Sequence, residues 1–228
     1  MVLYLSNYKS MISETVENYL KALFTLADEE GKVSVSELSQ CLEVSKPSAN
    51  SMAKTLHQEG FLIYKKYKPL VLTKYGRKAA ALVIRRHRLT EMFLVEKMGF
   101  AWDEVHDVAE QIEHVQSPMF FERMDELMDF PKFDPHGSPI PDRDGNIVEA
   151  DWVPLSACAE GDSVSFVGLA QSSKSLLQLL DGHKIALNQI FEVTTIEPFD
   201  QSIVINRDGF PALTLSRQVC NEMLVRVK

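Results

Sequence analysis

The chain has 228 residues, 45% hydrophobic and 25% charged, with a formal net charge of −8. This is globular composition, enough for two or three small domains, and it excludes a fibrous or low-complexity chain and argues against a uniformly basic nucleic-acid binder. No apolar run reaches the roughly 18–20 residues needed to cross a bilayer, and the start, MVLYLSNYKSMISETVENYL, lacks a basic leader and a small-residue cleavage site.

Residues 13–28 predict a helix, because Val16, Tyr19, Leu20, Leu23, Phe24 and Ala27 recur at three- and four-residue spacing and Ser13 or Thr15 can cap it. DEEGK reads as a loop and VSELSQCL as a short helix capped by Ser34 or Ser36. After the turn EVSKP, Pro47 suits the first position of a helix that Gly60 ends. FLIYKK and LVLT, joined by YKP, read as strands. Helix, turn, helix and basic hairpin is the pattern of a winged helix-turn-helix. The charge agrees locally: residues 46–78 carry eight basic residues and one acid, Glu59. Such a footprint steers a domain to phosphate while the acidic remainder stays soluble, although a solvated basic face has the same look. Ser45, Pro47, Ser48, Asn50, Ser51 and Lys54 are small or polar side chains that suit a helix lying in the major groove, with Lys65, Lys66 and Lys68 on the wing for phosphates.

A long helix is expected from Thr73 to about Met98, a second from Trp102 or Asp103 to about Gln116, and a third over Met119–Met128, with apolar faces sufficient for a core and a dimer seam. Residues 131–154 hold five of the ten prolines and read as a linker. VSFVGL, IFEVTTIE, SIVIN, PALTLS and MLVRV follow as five short strands with one helix, SLLQLL, suggesting a small antiparallel barrel. The expected order is residues 1–75 for DNA, 76–130 helical, a linker over 131–154, and a small β domain over 155–228. Cys41, Cys158 and Cys220 are odd in number and far apart, which suggests reduced thiols in a cytoplasmic protein.

VHDVAEQIEHV, residues 105–115, sets His106, Glu110, Glu113 and His114 at helical spacing on one face, and His87 and Glu91 repeat the pattern one helix earlier. Surface Glu–His pairs are common, so the stripe can be merely polar. Two such pairs in a chain with six histidines suit a divalent ion of the Mn-to-Zn row better than Ca.

TVENYLKALFTL, SVSELSQCLEVSKPSANSMAKTLHQEGFLIYKKY, LVLTKYGRKAAALVIRRHRLTEMFL and VHDVAEQIEHV together resemble the diphtheria toxin repressor family of metal-dependent regulators. The resemblance implies a mainly α chain with a small β domain: a winged helix-turn-helix, a central helical dimerisation domain and a C-terminal SH3-like barrel. It implies a homodimeric repressor that binds double-stranded operator DNA and uses Mn(II) or Fe(II), manganese first, with neither a membrane nor a small organic substrate as partner. By position it implies a primary metal site of Glu110, Glu113 and His114 with Asn18 from the first helix, and an ancillary site of His87, Glu91 and His106 to which Asp134 and His136 of DPHG are added. Asn18 departs from the family's Met or Asp and is a weaker ligand. Lys21 stands where some manganese-type members place a bridging Glu, which implies no second ion there. Gln171 and Ser172 are poor replacements for the barrel's usual ligand. Three rivals stay open on the residues alone: a winged-helix repressor answering to an organic ligand, a metal-dependent hydrolase, which the lack of a distinct nucleophile disfavours, and a C-terminal interaction module controlling a partner.

Overall fold

The computed structural model describes residues 12–148 and 151–228. They form two compact units, one of residues 1–90, 110–126 and 141–147, the other of 91–109, 127–140 and 148–228.

The first unit opens with α1 (Glu14–Thr25), where Ser13 Oγ accepts from Val16 N at 3.4 Å. Its buried stripe of Val16, Tyr19, Leu20 and Leu23 meets a core shared with Leu38, Leu56, Phe61 and Leu70. The expected loop DEEGK ends in a two-residue strand, β1 (Lys32–Val33). Helix α2 (Val35–Cys41) starts with a reciprocal cap between Ser34 and Glu37, which satisfies two otherwise orphaned amides. Helix α3 (Lys46–Gln58) begins one residue before Pro47, with Ser45 as its cap, and buries only Ala49, Ala53 and Leu56. Two alanines keep that inner face thin. Leu56 is fully buried, and its truncation to Ala would cost about 2–5 kcal/mol. Strands β2 (Leu62–Ile63) and β3 (Leu70–Leu72) make the wing, and the sheet order is β1-β3-β2. Helix α4 (Lys74–Met98) follows.

The helix expected to reach Gln116 is shorter: α5 covers His106–Ile112, and α6 covers Pro118–Leu127. Beyond Ile112 the chain turns at Glu113 and His114, with Val115 N bonded to Ile112 O at 2.9 Å, and Pro118 starts the next helix. Glu113 and His114 therefore project from a turn rather than from a continuous stripe.

In the second unit, β4 (Val153–Pro154), β5 (Ser163–Leu169), β6 (Ile190–Ile196), β7 (Ile203–Arg207), β8 (Phe210–Leu215) and β9 (Met223–Val227) form one antiparallel sheet in the order β4-β9-β5-β6-β7-β8. Alternation along β5 and β6 buries Val164, Phe166, Phe191 and Val193. Helix α7 (Lys174–Gly182) covers this core with Leu177 and Leu180. Helix α8 (Arg217–Glu222), unanticipated from sequence, buries Cys220. Burial pushes the Cys220 thiol up to about 11 and raises that of Cys158, so both stay protonated at neutral pH. The proline-rich stretch is partly ordered: Phe133 bridges to Pro139, and Asp134, His136 and Gly137 are buried. Among the described residues no helix is long and apolar enough to cross a membrane.

Candidate metal centre and DNA-reading face

Within the first unit, α1, α4, α5 and the turn after α5 bring five acid or imidazole side chains together. Glu113 is fully buried; its carboxylate lies 2.6 Å from His87 Nδ1 and 2.7 Å from Lys21 Nζ. Lys21 Nζ also donates to Glu110 Oε1 at 2.5 Å. One ammonium thus bridges two carboxylates. Burial pushes the Glu113 carboxyl up, but His87 and Lys21 outweigh it and the pKa falls below its ordinary 4.5. His114 Nδ1 sits 2.7 Å from Glu17 Oε2, while its Nε2 lies 3.6 Å from Glu113 Oε1. Glu17, itself buried, also accepts from Arg86 at 2.6 Å and Gln116 at 3.3 Å. A carboxylate on one imidazole nitrogen fixes the tautomer and aims the other nitrogen's lone pair, as in histidine metal ligands. Here the aimed atom is His114 Nε2.

A second cluster lies within the second unit. Glu91, Asp134 and His136 are all buried, with ligand atoms within 4.8 Å of one another. His136 Nε2 donates to Trp102 O at 2.8 Å, which leaves Nδ1 facing Glu91 Oε2 at 3.6 Å. Burial pulls the His136 pKa down, but Glu91, Asp134 and the Trp102 carbonyl raise it above the ordinary 6.5. Asp134 Oδ1 accepts from the backbone amides of His136 at 2.8 Å and Ser138 at 2.9 Å. Exposed His106 lies 3.4 Å from Glu91.

On α3, Ser45, Lys46, Pro47, Ser48, Ser51 and Lys54 are exposed, as are Lys65, Lys66 and Lys68 on the wing. Ser45 Oγ accepts from Ser48 N at 3.2 Å and lies 2.8 Å from Ser48 Oγ. Asn50 is half-buried, and its Oδ1 accepts from Tyr64 Oη at 2.9 Å.

The model for the iron-dependent repressor N-terminal DNA-binding domain matches residues 11–70, and that for the same repressors' metal-binding and dimerisation domain matches 73–142. The iron-dependent repressor IdeR of Mycobacterium leprae (strain TN) is 31% identical over 161 residues, 68% of this chain and 70% of that one. The chain belongs to the iron-dependent repressor family. The regulator MntR of Bacillus subtilis (strain 168) is 32% identical over 120 residues, 53% of this chain and 84% of that one. A solved structure described as a manganese-dependent transcriptional repressor in complex with manganese superposes with a TM-score of 0.85 at 31% identity, over 93% of this chain and 99% of that one.

In this member of the family three contacts go beyond the sequence expectation. On α1, Glu17 engages His114, and the Asn18 Oδ1 is buried and takes no hydrogen bond. His87 is hydrogen-bonded to Glu113 of the first cluster rather than serving only the ancillary set. Asn50 faces the wing tyrosine instead of lying on the fully exposed face of α3. The roles of Glu17 and Tyr64 were missed. Glu17 carried one signal, an acid between Val16 and Leu20 in the apolar stripe of α1. Tyr64 carried none, because its partner is on another element.

Proposed function

We propose that this chain is a metal-dependent transcriptional repressor that senses Mn(II), or Fe(II), and binds operator DNA as a homodimer in the cytoplasm. The observation that carries this reading is the set of Glu113, His114, Glu17 and His87 brought together with Lys21, while Asn18, on the same helix as Glu17 and Lys21, has a buried side-chain oxygen without a hydrogen bond. A buried acceptor without a partner is costly, and a cation would satisfy it. The donor set of carboxylate oxygen, amide oxygen and imidazole nitrogen suits Mn(II) or Fe(II). Glu110, Glu113 and His114 Nε2 would hold the ion, with Asn18 Oδ1 as the donor from α1, and Glu17 would keep His114 in the required tautomer. Once bound, the ion would supply a multivalent positive centre joining α1 of the DNA-reading segment to the α5–α6 turn. Lys21 would have to withdraw its ammonium from Glu110 and Glu113, so metal entry exchanges one cation for another. Lys21 then leaves room for a single ion at this site. Glu91, Asp134 and His136 Nδ1 would form the second site, with His106 at its exposed side.

The manganese-bound relative and the iron-dependent relative support a first-row divalent ion, and the oxygen-rich donors favour manganese. For DNA, Ser45, Pro47, Ser48, Ser51 and Lys54 would face the major groove, with Asn50 at the rim of that face, and Lys65, Lys66 and Lys68 the phosphates. Exposed Val115, Met119 and Phe120 suit the dimer seam.

Titration of duplex-DNA binding with Mn(II), Fe(II) under anaerobic conditions, and Zn(II) tests the reading. Binding is expected to rise with Mn(II) or Fe(II) and to fall on chelation. Binding indifferent to chelation would return the chain to a repressor governed by another ligand. Lys66→Ala is expected to weaken binding to all duplexes alike and to lower the salt slope by about one, as for a phosphate contact; a changed base preference would contradict that role.

A further inference from the structure

Asn50 and Tyr64 belong to different parts of the winged helix yet share a hydrogen bond. Tyr64 follows β2 at the start of the wing; its ring packs against the core beneath α3. Its phenol oxygen donates to Asn50 Oδ1 at 2.9 Å. Asn50 stands one helical turn before exposed Lys54, at the rim of the face formed by Ser48, Ser51 and Lys54. An asparagine amide accepts at one end and donates at the other, so its orientation decides which base edge it matches. The oxygen has two lone pairs. With one taken by the phenol, the other and both N–H groups remain for a base.

We propose that Tyr64 is a positioning residue for sequence recognition: it holds the Asn50 amide in one orientation and ties the wing to α3, so that helix and wing read the duplex as one body. The inference rests on the DNA-binding reading above. It names a residue outside the recognition helix, without charge, that sets specificity through another side chain. A purely structural tyrosine would give its phenol to water or to a backbone carbonyl. This one gives it to a polar side chain beside the exposed face. Free of the phenol, the amide can turn end for end and match a donor or an acceptor in either place. Base discrimination then falls while phosphate contacts from Lys65, Lys66 and Lys68 stay as they are.

The test uses the full chain with excess Mn(II) and a pool of randomised duplexes sequenced before and after binding. Wild-type protein, Tyr64→Phe, Asn50→Ala and the double variant are compared. Tyr64→Phe is expected to lower enrichment about tenfold at the base position read by Asn50, the worth of one good base contact. Asn50→Ala should lose the same position, and the double variant should lose no more than either alone, because both act through one amide. The salt slope should not move. An unchanged enrichment profile for Tyr64→Phe would overturn the proposal, as would even weakening at all positions or additive losses in the double variant. If wild-type protein enriches no sequence with Mn(II) or Fe(II), the DNA-binding reading falls and this inference with it; a motif kept by Tyr64→Phe sinks the inference alone.

Discussion

Two buried clusters pair acids with imidazoles, and they differ in what balances the charge. Around Glu113 a lysine ammonium bridges two carboxylates. Around Glu91 the described contacts are imidazoles and backbone amides, with His136 anchored through Nε2 to a carbonyl. The first cluster therefore carries a removable ammonium; in the second, backbone amides hold Asp134 and a carbonyl holds His136 Nε2, which leaves Nδ1 toward Glu91. The contrast teaches that one set of residue types can make a site where entry requires a displacement and a site that is oriented beforehand.

The largest effect should come from Glu113→Ala. It removes a proposed ligand that also holds His87 and Lys21, and Mn(II) affinity is expected to drop about 100-fold or more, with metal-dependent DNA binding lost. Calorimetric titration against wild type measures it. A drop no larger than that of His136→Gln would erase the difference in rank between the clusters.

Lys21→Met should act in the opposite direction. Without the ammonium, Mn(II) affinity is expected to rise about tenfold or more, since a unit charge a few ångströms away is worth a few kcal/mol at intermediate dielectric. The metal-free variant should melt at lower temperature, because Glu110 and Glu113 lose the ammonium that bridges them. Weaker metal binding in this variant would mean that Lys21 orients ligands rather than competing with the ion.

His136→Gln should remove one ion per chain from the bound stoichiometry, read by atomic absorption after dialysis, and weaken the metal response about tenfold. Unchanged stoichiometry would leave the second cluster a polar core and sharpen the contrast in the other direction.

The smallest effects concern pH, and their signs are opposite. Glu113 titrates below 4.5 in the folded chain, so its stabilisation is complete above that value and is lost as pH falls through the lowered pKa. His136 titrates above 6.5 when folded, so its stabilisation is complete below 6.5 and is lost as pH rises through the raised pKa. Melting temperatures of the metal-free chain across pH should lose the acid limb in Glu113→Gln and the upper limb in His136→Gln.

Elements with a long apolar period were legible from residues alone. Helices α1, α3 and α4 lie within a few residues of their expected bounds, and each strand expected after residue 160 is present. Short pieces were not legible. Strand β1 has two residues and α8 has six, too few for any periodicity to emerge. The end of α5 at Ile112 carries no breaker in the sequence, and the run of helical spacing continues through it. At the site, Glu110, Glu113 and His114 were readable because they share one local stretch. Glu17 was not, since its meaning comes from His114 and Arg86, far along the chain. The approach of Asp134 and His136 to Glu91 likewise depends on a turn that no spacing rule encodes.

That turn rests on peptide groups. Leu169 N donates to His136 O at 3.1 Å, and Gly137, at φ +87°, lies so close to β5 that an added methyl carbon would stand 2.2 Å from Val167 O. The sheet thus grips the histidine loop through its main chain. Outward-facing side chains of β5 can be exchanged widely without disturbing the buried imidazole, whereas a single methyl at residue 137 would prise the loop away and carry His136 with it.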